Sequence, residues 1–161
     1  SGVGEDSLMA VQPEERFDNV KRALFDYIES NYTTTAKWFQ GSTVLDTTAI
    51  TEWIWIGIVG VARRRPMRQV SNNIGNLVTL LVQGIIYVKP TESITRVDAI
   101  RDVIVGLLRK PAIQIVDQVG SAGNLGKLYG QDVVHEADLG IENDLHMYQV
   151  TFGFDFLEEY Q

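Results

Sequence analysis

The sequence contains no cysteine. This absence excludes disulfide frameworks, thiolate metal sites and cysteine catalysis, and it removes redox chemistry as a clue to the compartment. There is also no run of about 18 apolar residues, the length that a membrane-spanning helix requires, so we expect no membrane partner. With 161 residues, 45% of them hydrophobic and 22% charged, the chain has the size and composition of one globular domain. We expect that domain over residues 13–161, preceded by a flexible N-terminal arm over residues 1–12.

Signatures of catalysis are also missing. The glycines around Lys127 do not form a phosphate-binding loop, because Ser121 stands where a glycine is needed and Leu128 where a metal-binding hydroxyl is needed. No serine lies in a Gly-x-Ser-x-Gly turn, and the two histidines lie in loop-like sequence with no nucleophile beside them. We therefore predict a protein that is not an enzyme and has no cofactor and no bound metal. A metal-dependent module centred on residues 120–146 is the alternative to a solvated acidic loop there.

Positive charge is concentrated in one place. The formal net charge is −7, yet four arginines lie within six residues, so the rest of the chain carries −11 (−7 minus 4). An acidic chain of this kind is not typical of a general duplex-DNA binder. We interpret the cluster as a contact for an acidic protein surface or for phosphates, and its members are Arg63, Arg64, Arg65 and Arg68. The alternative is a solvated tip that improves solubility.

The arginine cluster lies between two stretches with the two-residue period of β-strands. Alternate residues from 78 to 88 are apolar except at Gly84, and residues 51–61 are apolar on both faces. The intervening residues 62–76 contain Pro66 and several asparagines and glycines, which are turn residues. The pattern predicts a long antiparallel hairpin whose basic loop projects beyond the core.

Two helices and two further strands are predicted around this hairpin. Apolar residues recur three and four apart after Pro13 and again from Ile94 to Leu108, the spacing of one helix face. Shorter patterns predict strands at 112–116 and 148–156 and a possible short strand at 42–49. The remaining segments are predicted to be loops: a glycine-rich excursion at 118–130 and an acidic loop at 131–146. The fold class is then α+β, a mainly antiparallel sheet with two helices packed on one face and a long projecting β-hairpin.

Two helices cover one face of such a sheet, and the second apolar face of residues 51–61 is left over. An uncovered apolar patch usually marks a partner surface, so we expect a homo-oligomer. The residues predicted for the subunit interface are Trp53, Ile54, Trp55 and Ile56. The alternative is that residues 31–49 fold over this face.

The order of these elements resembles that of bacteriophage tail terminator proteins, which are also called tail completion proteins. The most suggestive part is Ile-Ile-Tyr-Val-Lys at 85–89, followed by Val-Asp-Ala-Ile-Arg-Asp at 97–102. The resemblance extends over residues 14–157 and includes the leading helix at 17–28, the hairpin strands at 52–61 and 77–89, the helix at 96–108 and the closing strand at 148–152.

This resemblance implies a structural virion protein with a single tail-terminator-like domain. Such proteins form a hexameric ring at the head-proximal end of the tail, where they stop growth of the tail tube and join the tail to the neck. The implied partners are the tail tube protein and a neck or head-completion protein, with DNA in transit as a further contact, and the implied location is the virion tail, assembled in the host cytoplasm. Alternatives are another phage neck or head–tail joining protein and a nucleic-acid-contacting module that uses residues 63–68.

Overall fold

The computed structural model describes residues 13–33, 36–41, 46–68, 74–90, 93–109, 111–116 and 124–160. Within these ranges the chain forms two helices, α1 (Pro13–Asn31) and α2 (Ser93–Leu108). It also forms six strands: β1 (Lys37–Gln40), β2 (Glu52–Arg68), β3 (Ile74–Val88), β4 (Ala112–Val116), β5 (Asn124–Glu142) and β6 (Leu145–Tyr160). The predicted arm at 1–12 lies outside the described residues.

The strands form one sheet in the order β1-β2-β3-β6-β5-β4, curled into a half-barrel. Strand β1 runs parallel to β2, and every other neighbouring pair is antiparallel. The two long central strands, β3 and β6, pair along their whole described length, from Ile74 opposite Tyr160 to Val88 opposite His146. The predicted α+β class with a mainly antiparallel sheet is confirmed.

Both helices pack on the same face of the sheet and form the core with it. The two-residue period of β3 and β6 and the three-four spacing of the helices each place one apolar row inside. Burial of each large side chain in these rows stabilises the fold by about 1.5–3 kcal/mol. The largest fully buried side chains are Leu24, Ile28, Ile54, Ile56, Leu80, Ile86, Ile100, Ile104, Leu108, Phe152, Phe154 and Phe156.

The hairpin of β2 and β3 is longer than the sequence predicts. The arginines at 63, 64 and 65 belong to strand β2, where they stand opposite Thr79, Val78 and Leu77. The prediction of a basic loop over residues 62–76 is therefore wrong for 62–68 and 74–76, and residues 69–73 lie outside the described residues. Pro66 is tolerated in β2 because this part of the strand is paired on one side only in the described structure, and an edge strand does not need every N–H.

The segment predicted as an acidic loop is also a strand. Residues 124–142 form β5, which pairs with β6, and residues 145 and 146 begin β6. The predictions of a loop over 124–130 and over 131–146 are therefore wrong except at the turn residues 143 and 144. The two strands are joined at Asn143 and Asp144, whose φ angles are 53° and 57°. Two consecutive left-handed residues are the geometry of a type I′ hairpin turn, and asparagine and aspartate tolerate it better than most residues do. Residues 117–123 of the predicted excursion lie outside the described residues.

The first part of the chain differs from the prediction in detail. The predicted strand at 42–49 is not a strand over 46–49, and residues 42–45 lie outside the described residues. The strand in this region is β1 instead. Its Trp38 ring lies 6.4 Å from the ring centres of Phe25 and of Tyr32, so it packs at the edge of the core.

Candidate interaction surface

The four residues predicted for a subunit interface lie near the covered end of β2. Ile54 and Ile56 point toward the helices and are fully buried in the core of this chain. Trp53 is 5% exposed, because its ring stacks on Tyr87 of the neighbouring strand at 5.3 Å. Trp55 is half-buried. Three of the four predicted positions are thus buried within this chain, and their role in a subunit interface stays a prediction.

Exposed apolar side chains lie farther along two strands instead. In β2 they are Val59 and Val61, and in β5 they are Val134, Leu139 and Ile141, with exposures between 37% and 60%. Each group begins just beyond the point where the outer neighbouring strand ends. Apolar side chains in such positions are typical of surfaces that contact another protein.

The reason for this exposure is that the outer strands are short. Strand β1 pairs with β2 only over Trp53–Ile56, and β4 pairs with β5 only between Asn124 and Tyr129. Beyond these points, no strand in the described part of the chain pairs with the outer side of β2 or of β5. Considering the described residues alone, each of the two long strands therefore has a free edge, and the two edges lie at opposite sides and opposite ends of the sheet. We call residues 59–65 the β2 edge and residues 131–142 the β5 edge.

The β2 edge is basic. Arg63, Arg64 and Arg65 are all exposed, and the side chain of Arg68 lies outside the described residues. Arg63 stands opposite Thr79, which in turn stands opposite Asp155 of β6. The carboxylate of Asp155 accepts hydrogen bonds from the hydroxyl of Thr79 at 2.6 Å and from the amide of Gln131 at 2.7 Å. Arg63, Arg64 and Arg65 thus lie together at one edge of the sheet with exposed side chains.

The β5 edge is acidic, and part of its charge is used inside the chain. Arg101 of α2 donates two hydrogen bonds to the carboxylate of Glu136, at 2.6 and 2.8 Å, and the hydroxyl of Tyr148 donates a third at 3.0 Å. The hydrogen bonds from Arg101 lower the pKa of Glu136. Burial raises the pKa of Tyr148, and Glu136 raises it further. This polar cluster fixes the middle of β5 to helix α2.

A second polar pair fixes the end of β5. Nε2 of His146 lies 2.9 Å from Oδ1 of Asp138, which also accepts a hydrogen bond from the backbone N–H of Gly140 at 2.8 Å. The Gly140 N–H and, after it, His146 lower the pKa of Asp138. The remaining acids near this end, Glu142 and Asp144, are exposed at the turn.

The two histidines do not converge on a metal site. His135 stands opposite Thr151, on the face away from the helices, whereas His146 is buried on the helix side. Among the described residues, no group of three or more histidine, aspartate or glutamate side chains is arranged to hold a metal ion. Residues 120–123 of the metal-dependent alternative lie outside the described residues.

Comparisons with known proteins bear on the fold. A comparison with protein-family models finds no match. A comparison with curated proteins also finds no match. One solved structure, whose name states no activity, aligns with 90% of this chain and 95% of its own length, with a TM-score of 0.50 and 10% sequence identity. At that identity the likeness concerns the fold alone. Within the described residues, no helix is both long and apolar enough to cross a membrane.

The sequence reasoning missed the β5 edge altogether. The signal that could have located it is the Asn143-Asp144 pair, because a two-residue turn of this type joins two strands of a hairpin. Val133, Val134, Leu139 and Ile141 before this turn have no simple period, since β5 changes register against β6 at three places. Without the turn, the segment has the composition of a solvated loop.

Proposed function

We propose that this protein is a phage tail terminator, a structural virion protein that forms a six-membered ring at the head-proximal end of a tail. The ring stops growth of the tail tube and joins the tail to the neck. Its partners are further copies of itself, the tail tube protein and a neck or head-completion protein, and it assembles in the host cytoplasm.

The observation that supports this proposal best is the sheet with two free, exposed edges. The long strands β2 and β5 extend past their outer neighbours and carry apolar side chains into solvent. Free strand edges are places where proteins add a strand from another chain, and natural proteins that stay monomeric protect them. Surfaces of this kind suit an assembly protein better than they suit an enzyme with a closed cleft.

The element order gives further support. The leading helix, the long hairpin, the second helix and the closing strand that underlie the resemblance to tail terminators all occur at the predicted places. The proposal still depends on that resemblance for the phage context, because folds of this size serve many functions.

Measurement of the native mass and electron microscopy together test whether the protein forms a six-membered ring that caps tail tubes. We expect light scattering coupled to size exclusion to give the mass of six chains, and negative-stain images to show rings. When tail tube protein is added, the rings should cap tubes at one end and limit their length. A monomer at every concentration, both alone and with tube protein, would contradict the proposal. Rings that bind filled heads but leave tube growth unchanged would favour another neck protein.

A second candidate function is contact with nucleic acid through the arginine cluster, and the exposure of Arg63, Arg64 and Arg65 favours it. Fluorescence anisotropy with a labelled duplex should then show binding that weakens steeply with salt. Alanine at all four cluster positions should abolish the binding, whereas a control variant with alanine at the exposed Lys21 and Arg22 should not. Absence of binding even at low salt would remove this candidate.

A further inference from the structure

The two free edges of the sheet are complementary in charge. The β2 edge carries three exposed arginines, and the β5 edge carries the exposed acids Asp132, Asp138 and Glu142. In a ring of like-oriented copies, β2 of one chain and β5 of the next run antiparallel, so the arginines lie nearer to Asp132 and Asp138 than to Glu142. In a chain of net charge −7, the β2 edge is a local concentration of positive charge, so it attracts the acidic β5 edge of another copy electrostatically.

The two edges also match in their apolar content. Val59 and Val61 precede the arginines on the β2 edge, and Val134, Leu139 and Ile141 are spread along the β5 edge. Each edge therefore combines exposed aliphatic side chains with charges of a single sign. Pairing the two edges would bury the aliphatic groups of both and bring the opposite charges together.

Pairing of like edges is disfavoured by the same charges. Two β2 edges would bring arginines together, and two β5 edges would bring carboxylates together, so a symmetric pairing of identical edges is repulsive. A contact between two different patches on identical chains repeats from copy to copy, and it closes into a ring when the rotation permits.

We propose that the β2 edge of one copy pairs with the β5 edge of the next, so that the sheets of neighbouring chains join edge to edge. This inference rests on the ring proposed above for its choice of a second copy as the occupant. It assigns the contact to Val59–Arg65 on one side and to residues 131–142 on the other.

The absence of native cysteine makes cross-linking a clean test. Chains with Val61→Cys and chains with Val134→Cys, both exposed positions, are mixed and treated with a bismaleimide long enough to span several residues of register. We expect a covalent dimer in the mixture and none with either variant alone. The matched control is Ala99→Cys, an exposed position on α2, which should cross-link with neither. Circular dichroism confirms that each variant is folded.

Charge reversal tests whether opposite charges hold the β2 edge of one copy to the β5 edge of the next. The variant Arg63→Glu with Arg65→Glu should weaken self-association about ten-fold or more, because two attractive contacts become repulsive. Adding Asp132→Lys and Asp138→Lys reverses the charges of the other edge, leaves the net charge at −7 and should restore assembly. A control that instead adds Asp26→Lys and Asp98→Lys, both exposed and away from the edges, has the same net charge and should not restore it.

The outcomes separate this inference from the ring proposal. Rings with no cross-link between positions 61 and 134 and no rescue by the fourfold reversal would overturn the edge contact and leave the ring standing. Efficient cross-linking of Val61→Cys chains with themselves would overturn it in favour of a symmetric contact. A monomer under every condition, with and without tube protein, would overturn both proposals.

Discussion

The hydrogen-bonded ion pair between helix α2 and strand β5 gives a quantitative prediction. Arg101 donates to both carboxylate oxygens of Glu136, and these side chains are only 32% and 25% exposed. Hydrogen bonds to charged groups contribute about 1.5–3 kcal/mol when buried, and exposed ion pairs about 0–1 kcal/mol. For this intermediate case we expect Arg101→Ala to lower the free energy of unfolding by about 1–2 kcal/mol, or the Tm by about 2–8 °C for a chain of this size.

Urea denaturation followed by tryptophan fluorescence measures this change, with all variants at one protein concentration because assembly would shift the midpoint. The matched control is Arg22→Ala, which breaks a 2.8 Å pair with Asp18 whose side chains are 52% and 48% exposed. That variant should lose less than about 0.5 kcal/mol. A double-mutant cycle with Glu136→Ala isolates the coupling between the two partners. If Arg101→Ala costs no more than the control, the pair does not fix β5 to the helix and the reasoning is wrong.

Four further predictions follow from the surroundings of two glycines, one turn residue and one carboxylate. Gly106→Ala should raise the free energy of unfolding by about 0.5–1 kcal/mol, because the site is in a helix with no atom within 4 Å of the new Cβ. Gly130→Ala should lower the free energy of unfolding by about 1–3 kcal/mol, because the new Cβ would lie 2.2 Å from Cδ of Pro111. Equal effects of the two alanine substitutions, at 106 and at 130, would contradict this account. Asp144→Gly should raise the free energy of unfolding by about 0.5–1 kcal/mol, because glycine adopts φ 57° without strain. Thermal denaturation measures this change, and a loss of stability would show that the turn is of another type. The pKa of Glu136 is lowered in the folded protein, so its pair with Arg101 stabilises the fold fully above the unfolded pKa of about 4.3 and less as the pH falls through the folded pKa. The difference in the free energy of unfolding between wild type and Arg101→Ala should therefore shrink below about pH 4. A difference that stays constant from neutral to acid pH would contradict this prediction.

The central elements could be predicted because their burial leaves a simple period in the sequence. Strand β3 has one buried row and one half-buried row over residues 77–88, and the apolar residues of β6 at positions 150, 152, 154 and 156 are all buried. Such strands alternate regularly, and the helices that cover them repeat every three or four residues. The order of these elements and the fold class followed directly from the pattern.

Strand β5 could not be predicted because little of it is buried. Most of its residues from 131 to 142 are exposed or half-buried, and three changes of register interrupt its alternation against β6. An edge strand of this kind accepts acids and glycines that a central strand would exclude. Its composition is then the same as that of a loop.

The arginine cluster was assigned to a loop for a related reason. Consecutive cations would be costly in a core strand, so their presence suggests a turn. In the structure they extend β2 beyond β1, where the side chains on both faces reach solvent while Val78 and Leu80 of β3 stay buried. The interface prediction names residues in the half of β2 that β1 covers, because the sequence does not tell where a short neighbouring strand ends.

The position of β6 has a consequence for synthesis of the chain. This strand is the last to leave the ribosome among the six, yet it lies in the middle of the sheet, between β3 and β5. Until it is made, the inner edge of β3 has no neighbouring strand, β5 has no strand on its long side, and the helices lack the contacts that β6 makes with the core. The nascent chain therefore exposes unpaired strand edges until β6 has been synthesised, and ribosome-bound chaperones are the factors that would shield them during that interval.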